Sequence, residues 1–382
     1  MTSPRFPFPS LPAGWYSVGL ASELLPGTVV PLRRFGRELA LFRTQGGRVG
    51  LFDAHCPHLG AHLGGGVVEG ELLVCPFHRL GFATDGRCGS QPRCYPGKIP
   101  EKLSARPWPL LERDGFLVAW YDPLERPAAW EPPTTDLVPF RPLRTRRWTL
   151  RTHTQETGEG SVDLAHLQAV HQYLSAEALH PVATEGPMLR AAYRLERRAA
   201  PGMHGDTFHM DIHVRLNGLG FSTVDVTLPK QGFSHRLWVL STPIDSETID
   251  YRVALAMRAP ESPERVHRAL GLLPRPVAVE LVEAMLWREF VRDVELDFPI
   301  WESKAYVDPP RLLAGDGPIG HFRKWARQFY AALPTAEASA ATPRRQDDHA
   351  GTTTSANPSA PPTMDDQSSP RCGPSEVKRP VT

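Results

Sequence analysis

The stretch CPHLGAHLGGGVVEGELLVCPFH, Cys56 to His78, decides how the first part of the chain folds. It holds one Cys-x-His pair, Cys56 with His58, and one Cys-x-x-His pair, Cys75 with His78. Thiolate sulfur and imidazole nitrogen together suit zinc or an iron–sulfur centre. Zinc sites usually pair a Cys-x-x-Cys with a His-x-x-x-His, whereas here each half supplies one sulfur and one nitrogen. A centre of two irons can put both sulfurs on one iron and both imidazoles on the other. Each loop then serves both irons, which the two short spacings allow. Gly60 and Gly64, Gly65 and Gly66 relieve crowding where the backbone turns close to such a centre.

Composition narrows the rest. A chain of 382 residues has room for two or three domains. The net charge is +1 and no basic block stands out, which argues against nucleic acid as a partner. Five cysteines in so long a chain do not make a disulfide framework. The N-terminal MTSPRFPFPSLPAGW has no apolar signal core. No apolar run approaches the ~18 residues of a membrane span. A cytoplasmic, reducing compartment and no transmembrane span are therefore expected.

The pattern predicts an α+β chain. Residues 1–14 form an arm. Residues 15–124 read as an all-β domain of short strands, with ELALFR and RVGLFD joined by TQGG as a hairpin. Residues 125–334 form a second domain. In it, residues 149–180 read as irregular and helical. TFHMDIHVRL, STVDVTL, HRLWVLS and TIDYRVALAM suggest an antiparallel sheet. A long helix is expected from Pro276 to Trp301. Residues 335–382 are rich in Ala, Ser, Thr, Pro and charge, and are expected to be disordered.

EGSVDLAHLQAVH, Glu159 to His171, supplies a second candidate centre. Five residues turn an α-helix by ~140°, so His166 and His171 share a metal only if the helix bulges or breaks. Two histidines and a carboxylate make the facial triad of non-haem Fe(II) oxygenases, which leaves positions open for O₂. The late helix offers Asp293, Glu295 and Asp297 as the carboxylate. Val279, Val282, Leu286, Phe290, Asp293 and Asp297 fall on one stripe, which disfavours Glu295. His204, His209 and His213 have ligand-like spacing. However, Phe208, Met210 and Ile212 alternate with His209, Asp211 and His213, the mark of a half-buried strand with a polar face. His153 and His180 read as incidental, and Cys88, Cys94 and Cys372 as structural or incidental.

The spacing from Cys56–His58 to Cys75–His78 resembles the Rieske family. Respiratory Rieske proteins carry an extra disulfide where Ala61 and Phe77 stand here, so the oxygenase type is the nearer likeness. Asp163-x-x-His166-x-x-x-x-His171 resembles the iron motif of Rieske non-haem iron oxygenase alpha components. Asp297-Phe-Pro-Ile-Trp-Glu looks like the family's Asp followed by Ile-Trp, which selects Asp297 over Asp293. Two departures stand out: Arg79-Leu80 where the family often has Gly-Trp, and Gly160 where it often has Asn. The stretch from FGRELALFR to WPLLERDGFLVAWYDP resembles the sterol- and steroid-acting branch. That branch includes 3-ketosteroid 9α-hydroxylase, cholesterol 7-desaturase and bacterial sterol C-4 demethylase.

The resemblance implies an N-terminal all-β Rieske [2Fe–2S] domain. A helix-grip-type catalytic domain with an antiparallel sheet and a long C-terminal helix would follow. Cys56, His58, Cys75 and His78 would hold the cluster, and His166, His171 and Asp297 the mononuclear Fe(II). NAD(P)H would supply electrons through a separate ferredoxin or flavin reductase. With O₂, the enzyme would hydroxylate, demethylate or desaturate a small apolar polycyclic substrate, a sterol or steroid; an aromatic substrate is the alternative. It also implies a head-to-tail homotrimer in which Asp163 bridges His166 to His78 of a neighbour. An electron carrier or zinc protein is the rival reading, against which His166, His171 and Asp297 argue.

Overall fold

The computed structural model describes residues 5–137, 140–199, 203 and 205–331. The expected disordered tail over residues 335–382, with Cys372, and His204 lie outside the described residues.

The short apolar runs of the first part form ten strands. They are β1 (Gly14–Leu20), β2 (Thr28–Arg34), β3 (Arg37–Arg43), β4 (Val49–Asp53), β5 (Val67–Glu69), β6 (Leu72–Val74), β7 (Gly81–Phe82), β8 (Cys88–Ser90), β9 (Leu110–Arg113) and β10 (Phe116–Tyr121). They pair as three small antiparallel sheets, β1-β10-β9, β2-β3-β4 and β5-β6-β7-β8. The ELALFR and RVGLFD runs pair as β3 and β4, as the hairpin pattern predicts. Gly47, at φ 91°, closes that turn in a region that only glycine enters freely.

Strand β10 joins the two halves. All six of its residues, FLVAWY, are buried. Leu117, Ala119 and Tyr121 face the core of the first half, and Phe116, Val118 and Trp120 face the second half. A strand covered on both faces reads as a continuous apolar run because side chains alternate with period two. Across the joint, fully buried Trp238 donates its Nε1–H to Asp114 at 3.0 Å. Truncating Trp238 to Ala would cost about 3–5 kcal/mol.

The second half is a seven-stranded antiparallel sheet. Its strands are β11 (Arg144–Leu150), β12 (Ser175–Glu185), β13 (Met188–Arg198), β14 (Thr207–Asn217), β15 (Phe221–Leu228), β16 (Phe233–Pro243) and β17 (Ile249–Met257). Their order is β11-β17-β16-β15-β14-β13-β12. Among the described residues four α-helices complete it: α1 (Thr154–Glu159), α2 (Leu164–Ala169), α3 (Arg275–Ser303) and α4 (Ile319–Ala326). Val279 and Val282 of α3 pack on Val226, Leu237 and Leu255 of the sheet, while Phe322 and Trp325 of α4 pack on Leu189, Tyr193 and Leu216.

Residues 149–180 depart from the helical expectation. They hold two helices of six residues each, and then the first part of β12. β12 is an edge strand paired only with β13, with register shifts around His180, and it carries Pro181. An edge tolerates both the proline and the weak alternation, so its sequence lacks a strand signature.

The late helix is one residue longer at its start and two at its end than expected, and it runs through Pro299. Its last carbonyls are held from the N-terminal arm. Arg5 donates Nη2 to Trp301 O (2.9 Å) and Lys304 O (3.0 Å), and Nε to Lys304 O (3.2 Å). A guanidinium satisfies carbonyls that a helix end leaves open and complements the negative end of its dipole.

Candidate functional site

The two cysteine loops repeat one backbone pattern. In the first, Gly60 N–H donates to Cys56 O (2.9 Å) and Cys56 N–H to Ala61 O (2.9 Å). In the second, Arg79 N–H donates to Cys75 O (3.1 Å) and Cys75 N–H to Leu80 O (2.8 Å). The fourth residue after each cysteine is left-handed, at φ 74° for Gly60 and 58° for Arg79. Gly60 adopts this freely; Arg79 does so at a cost of roughly 1–2 kcal/mol. The Arg79 side chain pairs with Glu69 on β5, and Leu80 is buried beside Leu73, Cys75 and Phe82. The Arg79-Leu80 departure therefore keeps the loop geometry.

These loops bring Cys56 and Cys75 together in the core, with the His58 and His78 rings 4.8 Å apart at the surface side. Burial pushes the Cys56 thiol up to about 11, and contact with Cys75 adds to the rise. Two thiolates side by side therefore call for a cation. Nδ1 of His58 is buried without a partner. Among the described residues, only His166, His171 and Asp297 bring three ligand atoms within 4.8 Å of one another. The four cluster groups, two sulfurs in contact and two imidazoles side by side, suit a two-iron centre with sulfur and nitrogen ends. Tyr95 stands edge-on to both rings, 5.8 Å from His58 and 6.2 Å from His78. Sequence reasoning missed it, because nothing local marks an aromatic in that loop.

The second centre forms where α2 ends. The helix stops at Ala169, Gln172 turns left-handed at φ 60°, and Tyr173 N–H reaches back to Leu167 O (3.2 Å). His171 thereby leaves the helical path, and its Nε2 meets Nε2 of His166 at 3.1 Å. A helix end, not a bulge, solves the spacing of five. Asp297 comes from α3, with Oδ1 3.3 Å from His171 Nε2 and 3.9 Å from His166 Nε2. Metal bonds of about 2.1 Å at right angles set ligand atoms roughly 3 Å apart, so the three fit one ion. Nδ1 of His171 is buried without a partner. Tyr251, fully buried, has its hydroxyl pushed well up by burial and then by the charge of Asp297.

Asp163 meets His166 twice, in a different way from the carboxylate–imidazole bond expected. Its carboxylate caps α2, accepting from His166 N–H at 3.1 Å. Its main-chain carbonyl lies 2.7 Å from His166 Nδ1. A carbonyl only accepts, so it fixes the proton on Nδ1 and leaves Nε2 free for a metal. At Gly160, a Cβ would lie 3.9 Å from His166 Cε1, so glycine leaves that flank of the ring open.

The rejected candidates have other partners. Asp293 is not a free surface charge, since Arg197 holds both its oxygens. Glu295 pairs with Arg146 at 3.1 Å. His209 lies 3.9 Å from Glu196 on the sheet's polar face, and His213 is exposed there. His153 is buried among Phe6, Phe8 and Tyr330, and His180 is exposed on β12. Two surface hollows along β12 and β13 contain none of the metal-site residues.

A paired Cys/His loop domain joined to a sheet-and-helix domain with a His–His–carboxylate group is the layout of a Rieske oxygenase. Comparison with known proteins agrees. Residues 14–104 match the Rieske [2Fe–2S] domain family, and residues 119–330 match the 3-ketosteroid 9α-hydroxylase C-terminal domain family. Cholesterol 7-desaturase of Bombyx mori is 30% identical over 334 residues, covering 85% of this chain and 70% of that protein. The oxygenase component of a 3-ketosteroid-9-alpha-monooxygenase of Rhodococcus rhodochrous is 28% identical, covering 83% and 80%. Among solved structures, NdmA of Pseudomonas putida CBB5, a mutant with theobromine, superposes with a TM-score of 0.64 at 19% identity, covering 82% and 89%. Apo dicamba monooxygenase gives 0.59 at 20%, covering 84% and 97%. The chain belongs to the Rieske oxygenases, in the branch defined by the 3-ketosteroid 9α-hydroxylase C-terminal domain. It is an oxidoreductase with a [2Fe–2S] cluster and a mononuclear iron site, and as an oxygenase component it depends on a separate reductase.

Proposed function

We propose that this oxygenase hydroxylates, demethylates or desaturates a sterol or steroid. The C-terminal domain match over residues 119–330 carries the reading. The wall beside the iron group supports it. Met210, Ile212 and Val224 stand in mid-sheet yet stay partly open, although Val214, Leu216 and Val226 beside them are buried. They lie between two core clusters, with Leu167 and Tyr173 on one side and Leu286, Trp287 and Phe290 on the other. An apolar polycyclic substrate suits such a cleft.

Cys56, His58, Cys75 and His78 hold the cluster in this reading, and His166, His171 and Asp297 hold the iron. When loaded, the cluster delivers single electrons and the iron activates O₂. Asp163 keeps the His166 imidazole oriented, and the apolar wall excludes water and positions the substrate. Leu59 and Phe77, beside the cluster histidines, are 64% and 61% exposed. That suits a head-to-tail trimer in which a neighbouring catalytic domain covers them. A cytoplasmic setting would supply the reduced nicotinamide.

The test incubates the protein with a surrogate reductase, NADH and O₂ against cholesterol, a 3-ketosteroid, theobromine and dicamba. Mass spectrometry should find gain of one oxygen, loss of one CH2 or loss of two hydrogens in a steroid only. Turnover of the aromatic compounds without the steroids would establish the alternative. Light scattering should give a trimer, and Phe77→Asp should dissociate it.

A further inference from the structure

Three side chains near the iron ligands, Arg197, Asp293 and Tyr173, are tied to one another. Arg197, near the end of β13, sends Nη1 to Asp293 Oδ2 (2.7 Å) and Nη2 to Asp293 Oδ1 (3.0 Å). The same guanidinium lies over the Tyr173 ring, 5.3 Å from its centroid. Asp293 is one helical turn before Asp297 on α3. Tyr173 follows His171 by two residues, with its ring 6.4 Å from the imidazole. The Arg197 and Asp293 side chains are only 19% and 16% exposed.

We propose that Arg197, with Asp293 and Tyr173, forms a clamp that sets the separation of His171 from Asp297. Arg197 is thus a positioning residue for the iron centre. This rests on the reading of His166, His171 and Asp297 as the iron ligands. Asp297 rides on α3 and His171 on the turn after α2, elements far apart in the chain. Their relative position depends on what crosses between them. A two-point guanidinium–carboxylate pair fixes both distance and angle, and its partial burial shields it from salt. The same guanidinium also lies over Tyr173, so one side chain holds both ligand-bearing segments. Asp293 has both oxygens committed to this pair, which is why it does not compete with Asp297 for the metal.

The full chain, with its cluster loaded and its mononuclear iron removed, is dialysed against Fe(II) and analysed for iron. Nitric oxide is then added and the electron paramagnetic resonance of the Fe(II) adduct recorded, with the cluster oxidised and silent. Arg197→Met should weaken Fe(II) binding about tenfold, the lower end of what losing an orienting partner costs. It should also change the rhombicity of the adduct signal, which a general loss of stability would not do. Arg197→Lys keeps the charge without the fork and should recover part of the affinity. Asp293→Asn, which keeps the shape of the pair, serves if Arg197→Met fails to fold, and should shift the signal in the same direction. Wild-type affinity with an unchanged adduct signal in either variant overturns the clamp. Asp297→Ala is the control: wild-type Fe(II) binding there overturns the ligand assignment itself.

Discussion

The cluster loops carry their geometry in their own backbone, whereas the iron ligands take theirs from elements far apart in the chain. Between residues 56 and 78, two loops repeat the same pair of main-chain hydrogen bonds, and each cysteine sits in the same place within its loop. The iron group draws on the turn after α2 and on α3. A local site of the first kind fails when one of its own groups is lost. A site assembled by tertiary packing is open to perturbation from a distance.

The largest effect expected is at the cluster. Cys75→Ser should abolish the Rieske absorption and the acid-labile sulfide, because an alkoxide replaces a thiolate poorly. The mononuclear iron should remain, since His166 and His171 lie elsewhere. Unchanged sulfide would break the cluster assignment, and loss of both metals would show that the two sites are not independent.

At the iron centre, Asp297→Ala should empty the site and leave the cluster colour intact. Asp293→Ala should lose much less iron, since it reaches the metal only indirectly, through its pair with Arg197. Metal analysis of the two variants sharpens the comparison, and a reversed ranking would make Asp293 the ligand.

Asp163→Asn should leave both metals in place. Asn caps a helix about as well as Asp, and the main-chain carbonyl that holds His166 is untouched. Turnover should nonetheless nearly stop, because the carboxylate charge that a neighbour's His78 would meet is lost. The measurement is single-turnover reoxidation of a pre-reduced cluster with O₂ and substrate. Reoxidation at the wild-type rate would remove Asp163 from the electron route.

The smallest effect is in the pH dependence of stability. Burial pulls His153 down to about 3 and His235 down to about 4. Both are neutral in the folded state and protonate near 6.5 once unfolded. Their contribution is therefore intact above about pH 6.5 and is lost as pH falls toward about 3 and 4. Both belong to the iron-bearing half, so that half should weaken first in acid. Denaturant midpoints of His153→Gln across this window should fall less steeply than those of the wild type. An identical slope would exclude His153 as a source of the acid lability.

What could be read from the sequence follows the same divide. The four cluster groups show up as two short spacings because their loops are local. His166 and His171 show up as a pair, but the spacing does not say whether a bulge or a helix end brings them together. The left-handed Gln172 that answers this carries no residue-type signal. The stripe on α3 leaves Asp293 and Asp297 equivalent, since a helical pattern cannot show that Arg197 waits on a strand to engage one of them. β12 escaped because an edge strand with a proline has no alternation to read. The arm's attachment to α3 escaped because Arg5 and Trp301 are linked only by packing.

That attachment also dictates an order of events. Arg5 finds its acceptors 296 and 299 residues later, and Ser10 meets Ala331 321 residues later. Contacts of such separation close late and slowly, because the intervening loop must be brought together first. On the ribosome, the cysteine loops are complete while most of the sheet is still unmade. The [2Fe–2S] pocket is therefore ready for cluster insertion long before α3 has its end capped. The iron pocket must wait for α3, which brings Asp297 to the two histidines.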